Sequence, residues 1–149
     1  MAGGRRGLAD RRAGPPAALA DPGVAVAGPD GFVTSDLRRF DDAPGDRADV
    51  IGLAWLAFRR DDYRDLGPLD ERFTFHRSLD VWWSLVLRAG SDGAVPPRAA
   101  RRVDVPLARH EDRGWASLPE DDRDRLSRRN FYRVLDRFRD RRDLRSGVR

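Results

Sequence analysis

Short apolar runs bounded by turn residues mark the predicted strands. Residues 24–27 (Val-Ala-Val-Ala) follow the end of a helix over 17–20 and a turn at 21–23, and residues 50–58 form a longer apolar run that stops at paired arginines. Such runs are typical of buried strands. Residues 101–107 alternate between polar and apolar side chains. The pattern therefore predicts strands over 24–27, 50–58 and 101–107.

Helical patterns occupy the segments after the second strand. Residues 61–66 predict a short helix that stops at Gly67. Residues 79–89 are apolar on nearly every side, with Ser78 as the expected N-cap and Gly90 at the stop position, so this helix is expected to be buried. Residues 117–120 have the spacing of a capping box. The apolar residues after them repeat at helical intervals and predict a terminal amphipathic helix: Leu126, Phe131, Val134, Leu135 and Phe138.

The order of these elements predicts one α/β domain over residues 17–138, with helices flanking a sheet. Residues 1–16 are rich in Gly, Ala, Pro and Arg without a period, and we expect a disordered or wrongly assigned start there. Residues 139–149 are expected to fray. A strand entered from a helix normally has earlier strands upstream, and the sequence has almost no room for them. The sheet is therefore expected to be incomplete.

Composition narrows the class of protein. A chain of 149 residues with 40% hydrophobic content is large enough for one modest core. The absence of cysteine excludes disulfides and thiolate metal sites. No run reaches the roughly 18 apolar residues of a membrane span, and no signal peptide is evident at the start. We expect a cytoplasmic protein without a membrane span, with peripheral attachment to a membrane as the alternative.

The charge pattern does not favour a nucleic-acid binder. The pI is 10.7, but 25 acidic residues are interleaved with 29 basic residues, which leaves a net charge of +4. All the basic residues are arginines, which resembles a codon-composition habit. Nucleic-acid binders usually concentrate positive charge on one face. No specific nucleic-acid partner is therefore expected.

Two polar residues stand out as candidates for chemistry. Asp80 opens the predicted apolar helix, where the helix dipole favours an ionised carboxylate that could act as a general base. His110 lies in a polar loop after the third strand and could bind a divalent cation. The alternative for Asp80 is that it only stabilises the start of its helix. The alternative for His110 is that it is a solvated loop residue.

Three consecutive segments resemble the acceptor side of family-2 glycosyltransferases. They are residues 67–73 (Gly-Pro-Leu-Asp-Glu-Arg-Phe), 75–80 (Phe-His-Arg-Ser-Leu-Asp) and 85–90 (Leu-Val-Leu-Arg-Ala-Gly). In that family a Gly-Gly-Phe-Asp-Glu-type turn leads to a Glu-Asp pair that opens a helix ending in an Arg-x-x-Gly-type sequence. Residues 24–29, 52–60 and 103–110 are similar to the neighbouring strands in the same order. The resemblance covers residues 17–138.

The resemblance implies a fold, an activity and a set of site residues. The fold would be the C-terminal part of a Rossmann-like glycosyltransferase A-type domain. The activity would be transfer of a sugar from a nucleotide-sugar donor to the hydroxyl of a carbohydrate-type acceptor, with inversion at the anomeric carbon. Asp80 matches the catalytic base, and His110 matches a position for a metal ligand. The resemblance further implies substrate contacts from Asp70, Glu71, Arg77 and Trp115, although Asp70 and Glu71 could instead shape the turn.

The chain departs from the family in two respects. Leu79 replaces the glutamate of the Glu-Asp pair, and the nucleotide-binding half with its metal-binding Asp-x-Asp is absent. The family uses a divalent cation, Mg²⁺ or Mn²⁺, but the Asp-x-Asp of residues 122–124 lies in the predicted last helix, where residues two apart point to different faces. We therefore expect a truncated or misstarted chain whose reading frame continues upstream.

Two other functions remain open from the sequence. One is a catalytically inactive remnant that acts as a protein-interaction module, binding a protein partner or a second copy through the open edge of its sheet. The other, ranked last, is an arginine-rich nucleic-acid binder. The latter predicts affinity that falls steeply with salt.

Overall fold

A computed structural model of the chain describes residues 14–91, 93, 96–108 and 113–146. The described part is a mixed α/β structure with two small sheets and flanking helices. The strands are β1 (Val24–Gly28), β2 (Gly31–Val33), β3 (Asp41–Asp42), β4 (Arg47–Ala48), β5 (Val50–Ile51), β6 (Ala57–Phe58) and β7 (Ala99–Arg102). The α-helices are α1 (Pro15–Leu19), α2 (Arg60–Leu66), α3 (Leu79–Ala89), α4 (Arg113–Ala116) and α5 (Glu120–Phe138).

The two sheets are connected by consecutive strands, since β1 belongs to the first sheet and β2 to the second. The first sheet has the order β4-β7-β1-β6, in which β7 is parallel to β1 while β6 is antiparallel to β1 and β4 is antiparallel to β7. The second sheet has the order β3-β2-β5 and is antiparallel throughout. The prediction of an α/β structure with helices flanking a sheet is thus confirmed at this coarse level, and the larger sheet is mixed. Within the described residues no helix is long and apolar enough to cross a membrane.

The predicted single strand over residues 50–58 is wrong. Ile51 pairs with Gly31 in the second sheet, whereas Phe58 pairs with Val26 in the first sheet. The chain turns the same corner that separates β1 from β2, and the backbone N–H of Gly52 donates to the carbonyl oxygen of Asp30 at 2.8 Å. Residues 50–58 are apolar throughout because both ends of the segment pack against the hydrophobic core. The first end nevertheless belongs to the second sheet, and the last end belongs to the first sheet.

Of the other two predicted strands, the first is confirmed and the third has different bounds. The strand predicted over 24–27 is confirmed as β1, which is buried along its whole length. The strand predicted over 101–107 begins earlier and ends at Arg102, where β7 pairs with the last residue of β1, Gly28. Val103 adds one further bond, from its N–H to the carbonyl oxygen of Gly28 at 2.9 Å. Beyond that point β1 has ended, so residues 104–107 have no strand to pair with.

Helix α3 forms the centre of the core, which confirms its predicted burial. It contacts β1 and β7 of the first sheet, β5 of the second, and α5. The hydroxyl of Ser84 is fully buried and accepts a hydrogen bond from the N–H of Ile51 at 3.1 Å, which ties α3 to β5. Burial of this apolar surface supplies the main driving force for folding. The α3 residues in the core are Leu79, Trp82, Trp83, Leu85, Val86, Leu87 and Ala89.

Helices α2 and α3 end at the predicted glycines, but the predicted side-chain caps of α3 and α5 do not form. Gly67 and Gly90 end α2 and α3 with φ angles of 84° and 69°, a region that glycine adopts without strain. Ser78 precedes α3 as predicted, but its φ is 62° and its side chain makes no capping hydrogen bond. The predicted capping box of α5 does not form, because the hydroxyl of Ser117 donates to the carbonyl oxygen of Gly114 instead.

The C-terminal segment was predicted to fray from residue 139, and the structure differs. Residues Arg142–Leu144 form a 3-10 turn in which Leu144 is fully buried. The hydroxyl of Ser146 donates to a carboxylate oxygen of Asp49 at 2.5 Å. The side chain of Asp49 is buried, so it needs such donors, and the tail supplies them. Residues 147–149 and most of the predicted disordered start lie outside the described residues.

Candidate functional site

The turn that enters α3 carries unusual backbone angles. Phe75 and Ser78 have φ angles of 57° and 62°, a region that is costly for residues with a Cβ. The buried side chain of Asn130 in α5 holds this turn, since its Nδ2 donates to the carbonyl oxygens of Arg77 at 3.0 Å and Thr74 at 3.4 Å. Helix α5 therefore fixes the shape of the turn from outside.

Asp80 lies in the first turn of α3, directly after this turn. Its Oδ1 accepts a hydrogen bond from the N–H of Val81 at 2.8 Å. Burial raises the pKa of Asp80 above its usual value, and hydrogen bonds from the backbone of Val81 and Leu53 and the charge of Arg77 only partly offset this effect. The sequence predicted that the helix dipole would favour the ionised form; in the structure desolvation is the larger effect. Asp80 is consequently a stronger base than an exposed aspartate.

An aromatic and cationic platform lies beside Asp80. The guanidinium of Arg77 lies 4.5 Å from the ring centroid of Trp115 in α4. The ring of Phe75 meets Trp115 edge-on, with the centroids 6.1 Å apart, and Phe75 is 36% exposed. Three of the predicted site residues, Asp80, Arg77 and Trp115, are thus brought into one region. We call the group of Phe75, Arg77 and Trp115 the aromatic platform.

Phe75 is the platform residue that sequence reasoning missed. The signal in the sequence was its position five residues before Asp80, because its exposure is known from the structure alone. Its left-handed backbone could not be read from the sequence. That conformation depends on Asn130, which lies more than fifty residues later in the chain.

Asp70 and Glu71 lie at a different place. The carboxylate of Asp70 accepts hydrogen bonds from Arg72 at 2.9 and 2.6 Å, and this contact holds the pKa of Asp70 below its usual range. Both acids line a groove of about 430 Å³ whose lining also includes Trp82 and Val86. Asp80 does not line that groove. The structure therefore places Asp70 and Glu71 on a groove that Asp80 does not line, and Asp70 shapes its turn through Arg72.

The residues predicted to bind metal offer no assembled site in the described ranges. His110 lies outside the described residues. Among residues 14–91, 93, 96–108 and 113–146, no group of three or more His, Cys, Asp or Glu side chains is arranged to hold a metal ion. Asp122 and Asp124 lie in α5 as predicted, and Asp122 accepts a hydrogen bond from Arg125 at 2.8 Å.

The chain matches no protein-family model, no curated protein and no solved structure. The resemblance to family-2 glycosyltransferases accordingly rests on the residues quoted above, and it stays a prediction.

Proposed function

We propose that the chain is the acceptor-side part of an inverting family-2-type glycosyltransferase with a Rossmann-like, glycosyltransferase A-type fold. Its substrates would be a nucleotide-sugar donor and a carbohydrate-type acceptor. The observation that carries the proposal is the position of Asp80, whose carboxylate is partly buried at the start of a rigid helix beside the aromatic platform. A raised pKa makes this carboxylate a stronger base toward a hydroxyl than an exposed aspartate is.

In this mechanism the ionised carboxylate of Asp80 takes the proton from the acceptor hydroxyl. The hydroxyl oxygen forms a bond to the anomeric carbon while the bond from that carbon to the donor diphosphate breaks on the opposite face. The diphosphate leaves with the bonding electron pair, and the configuration at carbon is inverted. The rings of Phe75 and Trp115 would contact the apolar face of the acceptor, and Arg77 would donate hydrogen bonds to its hydroxyl oxygens.

The test is sugar transfer from a panel of nucleotide-sugar donors in the presence of Mn²⁺, by the protein expressed with any coding sequence that is in frame upstream of Met1, comparing wild type with Asp80→Asn. The amide keeps the size of the side chain but cannot take the proton, so the transfer rate should fall by about 10²-fold or more. Asp65→Asn is the matched control, since Asp65 is exposed on α2 and lies outside the proposed site. An Asp80→Asn rate equal to wild type would refute the base assignment. No turnover of any donor would contradict the proposed activity.

A second candidate function is a protein-interaction module, which the open edge of the first sheet favours. Among the described strands β6 is at that edge, and its residues Ala57 and Phe58 are only partly buried. Free backbone N–H and C=O groups at a sheet edge can pair with another chain. This function predicts a stable complex or dimer whose mass, measured by light scattering, is unaffected by Asp80→Asn.

A further inference from the structure

A polar cavity of about 250 Å³ lies near the C-terminal end of α3. Asp80 and Arg88 are eight residues apart on α3, which places them about 12 Å apart along the helix axis. The cavity is therefore separate from the candidate site. The charged residues in its lining are four arginines and two aspartates: Arg47, Arg88, Arg98, Arg145, Asp49 and Asp143.

Arg88 presents unused donors in this cavity. Its side chain is only 8% exposed. Nε donates to the carbonyl oxygen of Arg98 at 2.9 Å, and Nη1 donates to the carbonyl oxygens of Asp49 at 2.9 Å and Leu144 at 2.8 Å. Nη2 donates to no other residue of the described chain, and it is not among the fully buried nitrogens that lack a partner. Nη2 therefore has no hydrogen-bond partner among the described residues, and Arg88 is part of the cavity lining.

The aspartates of the lining are already committed to other groups. The carboxylate of Asp49 lies 3.8 Å from Nη1 of Arg88, but its oxygens accept hydrogen bonds from the N–H of Thr34 and from the N–H and hydroxyl of Ser146. Asp143 pairs with Arg141 at 2.7 Å. Neither carboxylate is therefore free to occupy the donors of Nη2.

The arginines of the lining carry a surplus of positive charge. Arg98 is paired with Asp62 at 2.9 Å, whereas Arg47 and Arg145 form no ion pair with any described acid. Burial lowers the pKa of Arg88; the charge of Asp49 opposes this effect, the charge of Arg47 adds to it, and the charge of Asp143 opposes it. An anion in the cavity would balance the unpaired charge of Arg47 and accept hydrogen bonds from Nη2 of Arg88.

We propose that the cavity binds a phosphate-type oxyanion, free or as a phosphate ester, with Arg47 and Arg88 as its main donors. Arg145 adds positive charge, while its Nη1 and Nη2 donate to the carbonyl oxygens of Ser35 and Arg139. Guanidinium groups match the geometry of phosphate oxygens and keep their charge at all physiological pH values. The cavity volume exceeds that of one phosphate, so a substituent or ordered water can share the space. The proposal does not depend on the proposed glycosyl transfer.

The test is isothermal titration of the full chain with inorganic phosphate and with phenyl phosphate, at ionic strength held constant with chloride. We expect saturable binding of one phosphate per chain by wild type. Arg47→Gln removes an exposed, unpaired donor and should weaken binding about tenfold. Arg88→Lys keeps the charge but replaces the guanidinium by one ammonium, which removes Nη2 together with the Nε and Nη1 donors, and it should weaken binding at least as much. Arg64→Gln, on the exposed face of α2, is the control and should bind as wild type does.

The outcomes separate the two sources of the oxyanion. Equal affinity for both probes identifies a free oxyanion as the ligand, and tighter binding of phenyl phosphate identifies a phosphate ester; both support the site. Circular dichroism establishes that each variant is folded. The proposal is overturned if neither probe binds saturably, or if folded Arg47→Gln binds with wild-type affinity.

Discussion

Two opposing effects act on the carboxyl group of Asp80. Backbone N–H groups and the positive end of the α3 dipole favour the charged form, whereas removal of water favours the neutral form. The second effect is larger, so the pKa is raised. The cost is that ionised Asp80 destabilises the folded chain at neutral pH. Such a cost at one residue is typical of a functional site, where activity and stability compete.

The pH dependence of stability should reveal this cost. An acid whose pKa is raised on folding binds its proton more tightly in the folded state, so its contribution to stability is present below the unfolded pKa of 3.8 and is lost as the pH rises through the folded pKa. Asp80→Asn removes this titration. The variant should therefore gain stability relative to wild type as the pH rises above about 4.

Urea unfolding of both proteins from pH 3 to pH 8 measures this effect. The gap between variant and wild type should widen with pH and then level off. Asp65→Asn, at an exposed position on α2, is the matched control. A constant gap across the pH range would mean that Asp80 has the same pKa in the folded and unfolded chains.

At the scale of elements, the sequence pattern correctly predicted features that are set within one segment, such as the bounds of a helix. It failed for features that are set by contacts between distant segments, such as strand pairing. The bounds of α3 follow from its apolar residues and from Gly90, all within the helix itself. Residues 50–58 read as one strand because apolar residues face the core on both sides of the corner. The division of this segment between two sheets depends on its pairing with β1 and β2. The pattern of polar and apolar residues within the segment does not specify those partners. Two residues of the aromatic platform, Arg77 and Trp115, were predicted as site residues, whereas Phe75 was not. The backbone conformation at Phe75 depends on the distant residue Asn130, which holds the turn.

Gly28 is the point where that corner is most tightly packed. A Cβ at this position would lie against the side chain of Ile51 and the carbonyl oxygen of Trp55, closer than real Cβ contacts occur. The second contact is with backbone, so the turn between β5 and β6 would have to move. Gly28→Ala should lower the free energy of unfolding by about 1–3 kcal/mol.

Chemical denaturation of Gly28→Ala beside Gly45→Ala tests this packing. A Cβ at Gly45 meets nothing within 4 Å, so that variant should be as stable as wild type or slightly more stable. Equal stability of the two variants would show that the corner is looser than the structure has it.

For the whole molecule, Asp49 and Arg88 join parts of the chain that are far apart in sequence. Asp49 receives hydrogen bonds from Thr34 after β2 and from Ser146 near the C-terminus. Arg88 of α3 reaches the carbonyl oxygens of Asp49 and Leu144. The second sheet, the central helix and the tail are therefore one unit. A sequence pattern could not show this, because in the described part of the tail, up to Ser146, the one buried apolar residue, Leu144, lies among charged neighbours.

A chain that ends at Arg139 tests whether the tail belongs to the folded unit. The truncation removes the buried side chain of Leu144, one carbonyl acceptor of Arg88 and the Ser146 donors of Asp49. It leaves a cavity and a poorly satisfied buried ion pair, so the free energy of unfolding should fall by about 3 kcal/mol or more. Ser146→Ala removes only the hydroxyl donor and should cost about 1–3 kcal/mol. Urea unfolding should therefore rank wild type above Ser146→Ala and Ser146→Ala above the truncated chain, whereas equal midpoints for all three would show that the tail contributes nothing to the fold.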